Sequence, residues 1–192
     1  MYRAFTLKIL QNNVPPGDAG AVGRLVETTH VALKREDHEL RVLLDGVDVT
    51  GLIRAPEVTK TVSVVSGIKV VRAAMVREQR AMGAGGGVVL EGRDIGTVVY
   101  PDADLKIFLV ASLKERARRR LQELRLQEAD ANLEAVEREM SERDRQDSTR
   151  AESPLRKAHD AVEIDTTGLT IEAQVTQIVT RAKAIAGGGG RE

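Results

Sequence analysis

The chain has 192 residues, enough for one domain with an insertion or for two small domains, and 42% of them are hydrophobic, enough for a core. Lys+Arg and Asp+Glu are 29 each, so the net charge is zero; general attraction to DNA or RNA is excluded, and any anion site must be local. There is no cysteine, which excludes disulfides, thiolate zinc sites and cysteine nucleophiles, and no apolar run reaches the length of a membrane span.

Phe5, Ile9 and Leu10 share a face and predict a helix within residues 1–13. Val14-Pro15-Pro16-Gly17 breaks it, and Asp18 is placed to cap a second helix over Ala19–Thr28. Between residues 29 and 49 the period becomes two. A charged turn at Arg35-Glu36-Asp37-His38 and the hairpin signal Asp45-Gly46 separate three extended stretches, which predicts a small antiparallel meander. Arg54–Val58 reads as a turn around Pro56, and residues 57–82 carry helical spacing broken near Ser66-Gly67.

The glycine run 83–87 is a connector. No Lys-Ser/Thr follows it, and G-x-x-x-x-G-K-[ST] occurs nowhere in the chain. Val88–Leu90 predicts a buried strand, Gly92-Arg93-Asp94 a tight turn, and Leu105–Val110 a second strand. A helix over Leu113–Gln127 places Leu113, Ala117, Leu121 and Leu124 on one face. Asp130-Ala131-Asn132 separates it from another helix near Leu133–Arg145. Ala161–Asp165 is a third buried strand, Thr170 caps a helix over Ile171–Ile185, and Gly187–Glu192 is a disordered tail. Apolar strands separated by helices imply an α/β fold: a parallel sheet covered on both faces, with ligands at the carboxyl ends of its strands. Arg93, Asp94 and Thr166 lie at such ends.

Three constellations could do chemistry. In Gly92-Arg93-Asp94 the glycine permits a sharp turn, and the guanidinium either forks onto a phosphate or pairs with Asp94 to close the turn. Arg143, Asp147 and Arg150 are spaced i+4 and i+3, which puts a carboxylate between two guanidiniums on one helical face, or else laces a solvated helix with ion pairs. Arg116, Arg119 and Arg120 face one way, roughly opposite the apolar stripe, as a mobile lid over a triphosphate or a plain basic surface. Ser63 and Arg72 could line a pocket beside the meander. His30, His38 and His159 lack ligand spacing, so no protein-built metal site is expected. Glu115, Glu123, Glu128, Glu134, Glu137, Glu139 and Glu142 balance the arginines of residues 113–150, so no nucleic-acid partner is expected.

Taken together the segments MYRA (1–4), LLDGVDVTGLIRAPEV (43–58), SVVSGIKVVR (63–72), GRDIGTVVYPDADLKIFLVAS (92–112), ERARRR (115–120), RDRQDSTR (143–150) and IDTTGLTIE (164–172) resemble the bacterial cytidylate kinase family. The resemblance implies a P-loop kinase-like parallel sheet flanked by helices, with a small antiparallel nucleoside-monophosphate-binding insertion and a helical lid. Residues 1–28 would be core helices, 29–66 the insertion, 67–186 core including a lid at 113–132, and 187–192 the tail. It implies transfer of the γ-phosphoryl of ATP, with Mg²⁺, to CMP or dCMP.

Arg3, Arg93, Arg143 and Arg150 would hold the CMP phosphate and the transferring group, with Arg93, Arg143 and Arg150 catalytic. Ser63, Arg72 and Asp94 would read the cytosine, Asp147 would meet the ribose, and Arg116, Arg119 and Arg120 would cover the ATP phosphates. In the family a strand and a phosphate loop precede MYRA. The chain therefore reads as N-terminally truncated, and two readings remain: a (d)CMP kinase, or a non-catalytic nucleoside-monophosphate-binding protein. A cytoplasmic monomer with no membrane or nucleic-acid partner is expected.

Overall fold

The computed structural model describes residues 1–37, 39–126 and 132–188, which form two compact units. The first comprises Met1–Val89 with Arg150–Ser153, the second Leu90–Thr149 with the chain from Pro154 onward. His38, the helix end at Gln127, Glu128, the Asp130-Ala131 spacer and the last four tail residues lie outside the described residues.

In the first unit α1 (Tyr2–Gln11) and α2 (Ala19–Thr28) form where the apolar spacing places them. Asp18 caps α2, its carboxylate accepting the Ala21 N–H at 2.9 Å. Strands β1 (Val31–Glu36), β2 (Glu39–Leu44) and β3 (Val47–Asp48) make an antiparallel sheet in that order. Val31 faces Leu44, and Asp45-Gly46 turns the chain at φ +51° and +85°. Both central residues of this hairpin sit at positive φ, which is why Asp-Gly serves there. Burial works against an ionised Asp45. The Lys8 ammonium at 2.7 Å and the His30 N–H at 2.8 Å overcome it and hold the carboxyl below its ordinary range.

A 3₁₀ turn at Leu52–Arg54 precedes α3 (Pro56–Ser66), so Pro56 opens a helix where a plain turn was expected. Proline suits a first helical position, whose N–H would lack a partner in any case. α4 (Lys69–Gly83) follows the predicted break at Gly67. Phe5, Ile9, Val22, Val65, Val71, Ala74 and Met75 fuse the four helices, while the other side of α1 sets Ala4 against Val31, Val42, Leu44 and Val49 of the meander. Phe5 and Ile9 are fully buried, each contributing about 1.5–3 kcal/mol.

The chain from Val88 onward departs further from expectation. Val88–Leu90, expected as a strand, has no strand pairing among the described residues, and Val89 is 100% exposed. Apolar, β-branched residues supply a strand's side chains, but an unpartnered backbone gains no ladder. The parallel sheet is β4 (Ile107–Val110) beside β5 (Val162–Asp165), in register from Ile107–Val162 to Val110–Asp165. It is not covered on both faces. Ile164 is buried, yet Leu109 is 53% exposed.

Between the two strands run α5 (Leu113–Leu126) and α6 (Leu133–Thr149), packed through Ala117, Leu121 and Val136. Asn132 caps α6 through the Ala135 N–H. α6 extends past the expected Arg145 because no breaker intervenes before Thr149. α7 (Ile171–Gly188), whose Ala173 N–H is capped by Thr170, outlasts the expected end at Ile185 and takes the first two tail glycines into the helix. Among the described residues no helix is long and apolar enough to cross a membrane.

Candidate functional site

Each unit carries a cluster of sequence-predicted residues. In the first, Arg3 on α1 donates through Nη1 to the Ile53 carbonyl and the Thr59 hydroxyl, both at 2.9 Å, so it is drawn toward the start of α3. Ser63 lies half-buried on α3, its carbonyl accepting the Ser66 hydroxyl. Arg72 on α4 is only 5% exposed. Its guanidinium sits 5.6 Å from the centre of the Tyr2 ring, donates from Nε to the Ser153 hydroxyl at 3.0 Å, and from Nη1 to the Ser66 carbonyl at 3.1 Å.

Arg150 was expected on a helical face with Arg143 and Asp147. α6 ends at Thr149, and Arg150 donates from Nε to the Ser153 carbonyl at 2.8 Å and from Nη1 to the Ser66 hydroxyl at 3.2 Å. Arg72 and Arg150, 78 positions apart in sequence, thus share the same two serines. Ser66 and Ser153 were not singled out from the sequence. The only signal was Ser66 one turn from Ser63, at the helix break.

In the second unit Asp147 lies between the guanidiniums of Arg93 and Arg143. Its carboxylate, 4% exposed, is 3.1 Å from Arg93 Nε and 4.0 Å from Arg143 Nε. Arg143 Nε is buried with no hydrogen-bond partner among the described residues. Burial first, and the Arg93 charge second, push the Arg143 pKa down, while Asp147, Asp144 and Glu139 pull it up. An arginine nevertheless stays cationic. The cluster therefore sets two guanidiniums about one buried carboxylate, partly desolvated.

The turn that presents Arg93 is built for a sharp reversal. A Cβ on Gly92 would come within 2.9 Å of Ile95 Cγ1. The carbonyl of Asp94, itself buried, accepts from the Val98 N–H at 2.9 Å and opens a π turn over Ile95–Val99. Such turns are rare and concentrate at functional positions. Lys106, also not foreseen, braces it from below. Its ammonium binds the Pro101 carbonyl and Asp160, and its stem lies 3.2 Å from where a Gly96 Cβ would stand.

On α5, Arg116, Arg119 and Arg120 stand at i, i+3 and i+4 of one helix, and their guanidiniums find different acceptors. Arg116 turns toward α6, 2.7 Å from Asp144, with Nε on the Ala111 carbonyl. Arg119 reaches the carboxyl end of β5, donating to the Thr166 carbonyl at 2.6 Å. Arg120 pairs with Glu123 of its own helix at 3.0 Å. Arg120 keeps an i,i+3 partner, whereas Arg116 and Arg119 reach acceptors outside their own helix, which helical spacing does not encode.

Arg119 is also held by Glu115, at 2.8 Å. Hydrogen bonds from Arg118 and Arg119 pull the Glu115 carboxyl from its ordinary 4.5 down to about 2. A depressed carboxyl lends stability above its unfolded pKa and loses it as pH falls through the folded one. This clamp on Arg119 should thus be complete at neutral pH and persist until about pH 2. Carbon-detected NMR titration of the Glu115 carboxyl reads this directly, and a midpoint near 4.5 would show the clamp absent in solution.

Comparison with known proteins adds a lineage. A family profile described as cytidylate kinase matches residues 1–184. The chain is 49% identical over 185 residues to the cytidylate kinase of Pelotomaculum thermopropionicum, covering 96% of this chain and 82% of that protein. It is 49% identical over 179 residues to the cytidylate kinase of Geobacillus kaustophilus, covering 93% and 80%. Against the bifunctional pantoate ligase/cytidylate kinase of Trichodesmium erythraeum it is 49% identical over 178 residues, covering 92% of this chain and 33% of that one.

Proposed function

The chain belongs to the cytidylate kinase family, and from that premise we propose that it transfers the γ-phosphoryl group of ATP to CMP or dCMP, giving the corresponding diphosphate. The observation that carries this reading is the Arg93–Asp147–Arg143 cluster. Phosphoryl transfer asks little covalent chemistry of a protein and much positioning and charge stabilisation. A buried carboxylate that orients two guanidiniums without cancelling both suits that need. The Arg143 Nε–H, without a hydrogen-bond partner among the described residues, is a donor suited to a phosphoryl oxygen.

In the first unit Arg3, Ser63, Arg72 and Arg150 are assigned to the monophosphate substrate, with Ser63 and Arg72 reading the base. In the second, Arg93 and Arg143 stabilise the transferring group, Asp147 fixes their forks, and Asp94 accepts from the cytosine amine. Arg116, Arg119 and Arg120 on α5 are assigned to the ATP phosphates. Each guanidinium has five N–H donors, so a phosphate oxygen can be bound by those not engaged with the acceptors it now holds. The ion Mg²⁺ would neutralise phosphate charge. Among the described residues no group of three or more His, Asp or Glu side chains could hold a metal ion. The cation belongs with the substrate ATP, whose phosphates and water suit its coordination.

Calorimetric titration with CMP and with ATP, beside a coupled assay for CDP, tests the reading. Saturable CMP binding with multiple turnovers is expected. CMP binding with no turnover would leave only the non-catalytic binder, and absence of CMP binding would overturn both.

A further inference from the structure

We propose that Ser153, with Ser66 opposite it, is a positioning residue that sets the spacing and orientation of Arg72 and Arg150 for a nucleoside monophosphate. Four hydrogen bonds form a closed square. Ser66 gives its carbonyl to Arg72 and its hydroxyl to Arg150, and Ser153 gives its hydroxyl to Arg72 and its carbonyl to Arg150. Each arginine is thus held at two points, on Nε and on Nη1. Fixing a guanidinium at two points removes its rotational freedom before ligand arrives, so less is lost on binding.

The backbone of Ser153 carries the second part of the argument. Its φ is +48°, a left-handed conformation that a non-glycine residue rarely adopts. Such strain costs stability and persists only where the surroundings impose it. Here it lets one residue present hydroxyl and carbonyl to two different arginines. Glycine would fit this backbone better, yet it would lose the hydroxyl bond to Arg72. Serine at this position trades stability for the orientation of a guanidinium.

The inference rests on assigning Arg72 and Arg150 to CMP, and its test separates the two claims. CMP affinity and thermal midpoint are to be measured for the full chain and for Ser153→Gly, Ser153→Ala and Arg150→Met. Both Ser153 variants should bind CMP about tenfold more weakly, the usual consequence of losing one hydrogen bond to a charged group. Ser153→Gly should nevertheless match or exceed the parent in thermal midpoint, because glycine relieves the strain. A purely structural serine would make affinity follow stability, so the glycine variant would then bind as the parent does; that result overturns the inference while a weakened Arg150→Met leaves the assignment standing. If the parent does not bind CMP, or Arg150→Met binds as tightly as it, the assignment falls and the inference with it.

Discussion

Asp147→Ala is expected to cost the second unit more stability than any other single change at the candidate site. The carboxylate is 4% exposed and holds Arg93 and Arg143 close together. Without it two guanidiniums face each other, one of them already disfavoured by burial. Removing one partner of a buried ion pair costs about 3–5 kcal/mol, and the low end applies here because Arg93 is 45% exposed. Asp147→Asn keeps the shape and loses the charge, so it should fall between alanine and the parent. Urea unfolding followed by circular dichroism decides this. Midpoints for Asp147→Ala that coincide with the parent would mean that the carboxylate does not hold the pair together.

Arg93→Ala should act on rate. Its guanidinium stands on a turn that Gly92, the π turn and Lys106 hold in place, and it is exposed enough to meet a ligand. Loss of one preorganised cationic donor at a developing charge lowers kcat by about 10²–10³-fold. The KM for CMP should change far less if the contact strengthens in the transition state. Steady-state assays of Arg93→Ala and Arg93→Lys separate the possibilities. Lysine restores the charge without the fork and should recover only part of the rate. A kcat for Arg93→Ala equal to the parent's would remove Arg93 from the reaction, and a rise confined to KM would move it to substrate binding.

The helices and the meander were legible because their signals are local. Asp18 three residues before Ala21, Asp45-Gly46 between alternating stretches, and Ala117 with Leu121 on one face each specify geometry within a few residues. The expected strand at Val88–Leu90 failed for the opposite reason. Its residues favour extended backbone, but a strand exists only when another backbone pairs with it, and no local pattern names that partner. The i+4, i+3 spacing of Arg143, Asp147 and Arg150 reads a helix through Arg150, and α6 ends one residue earlier, at Thr149.

The residues alone determined the chemistry available: arginines in three clusters, no thiol, a balanced charge, and motif order shared with one family. Tertiary structure alone decided which guanidinium meets which acceptor. Arg93 reached Asp147 across 54 positions, and Arg72 and Arg150 met at Ser66 and Ser153. The reason is reach. Secondary structure is set by interactions over three or four residues, whereas a side-chain hydrogen bond forms only within about 3 Å of its partner, wherever the chain has carried that partner.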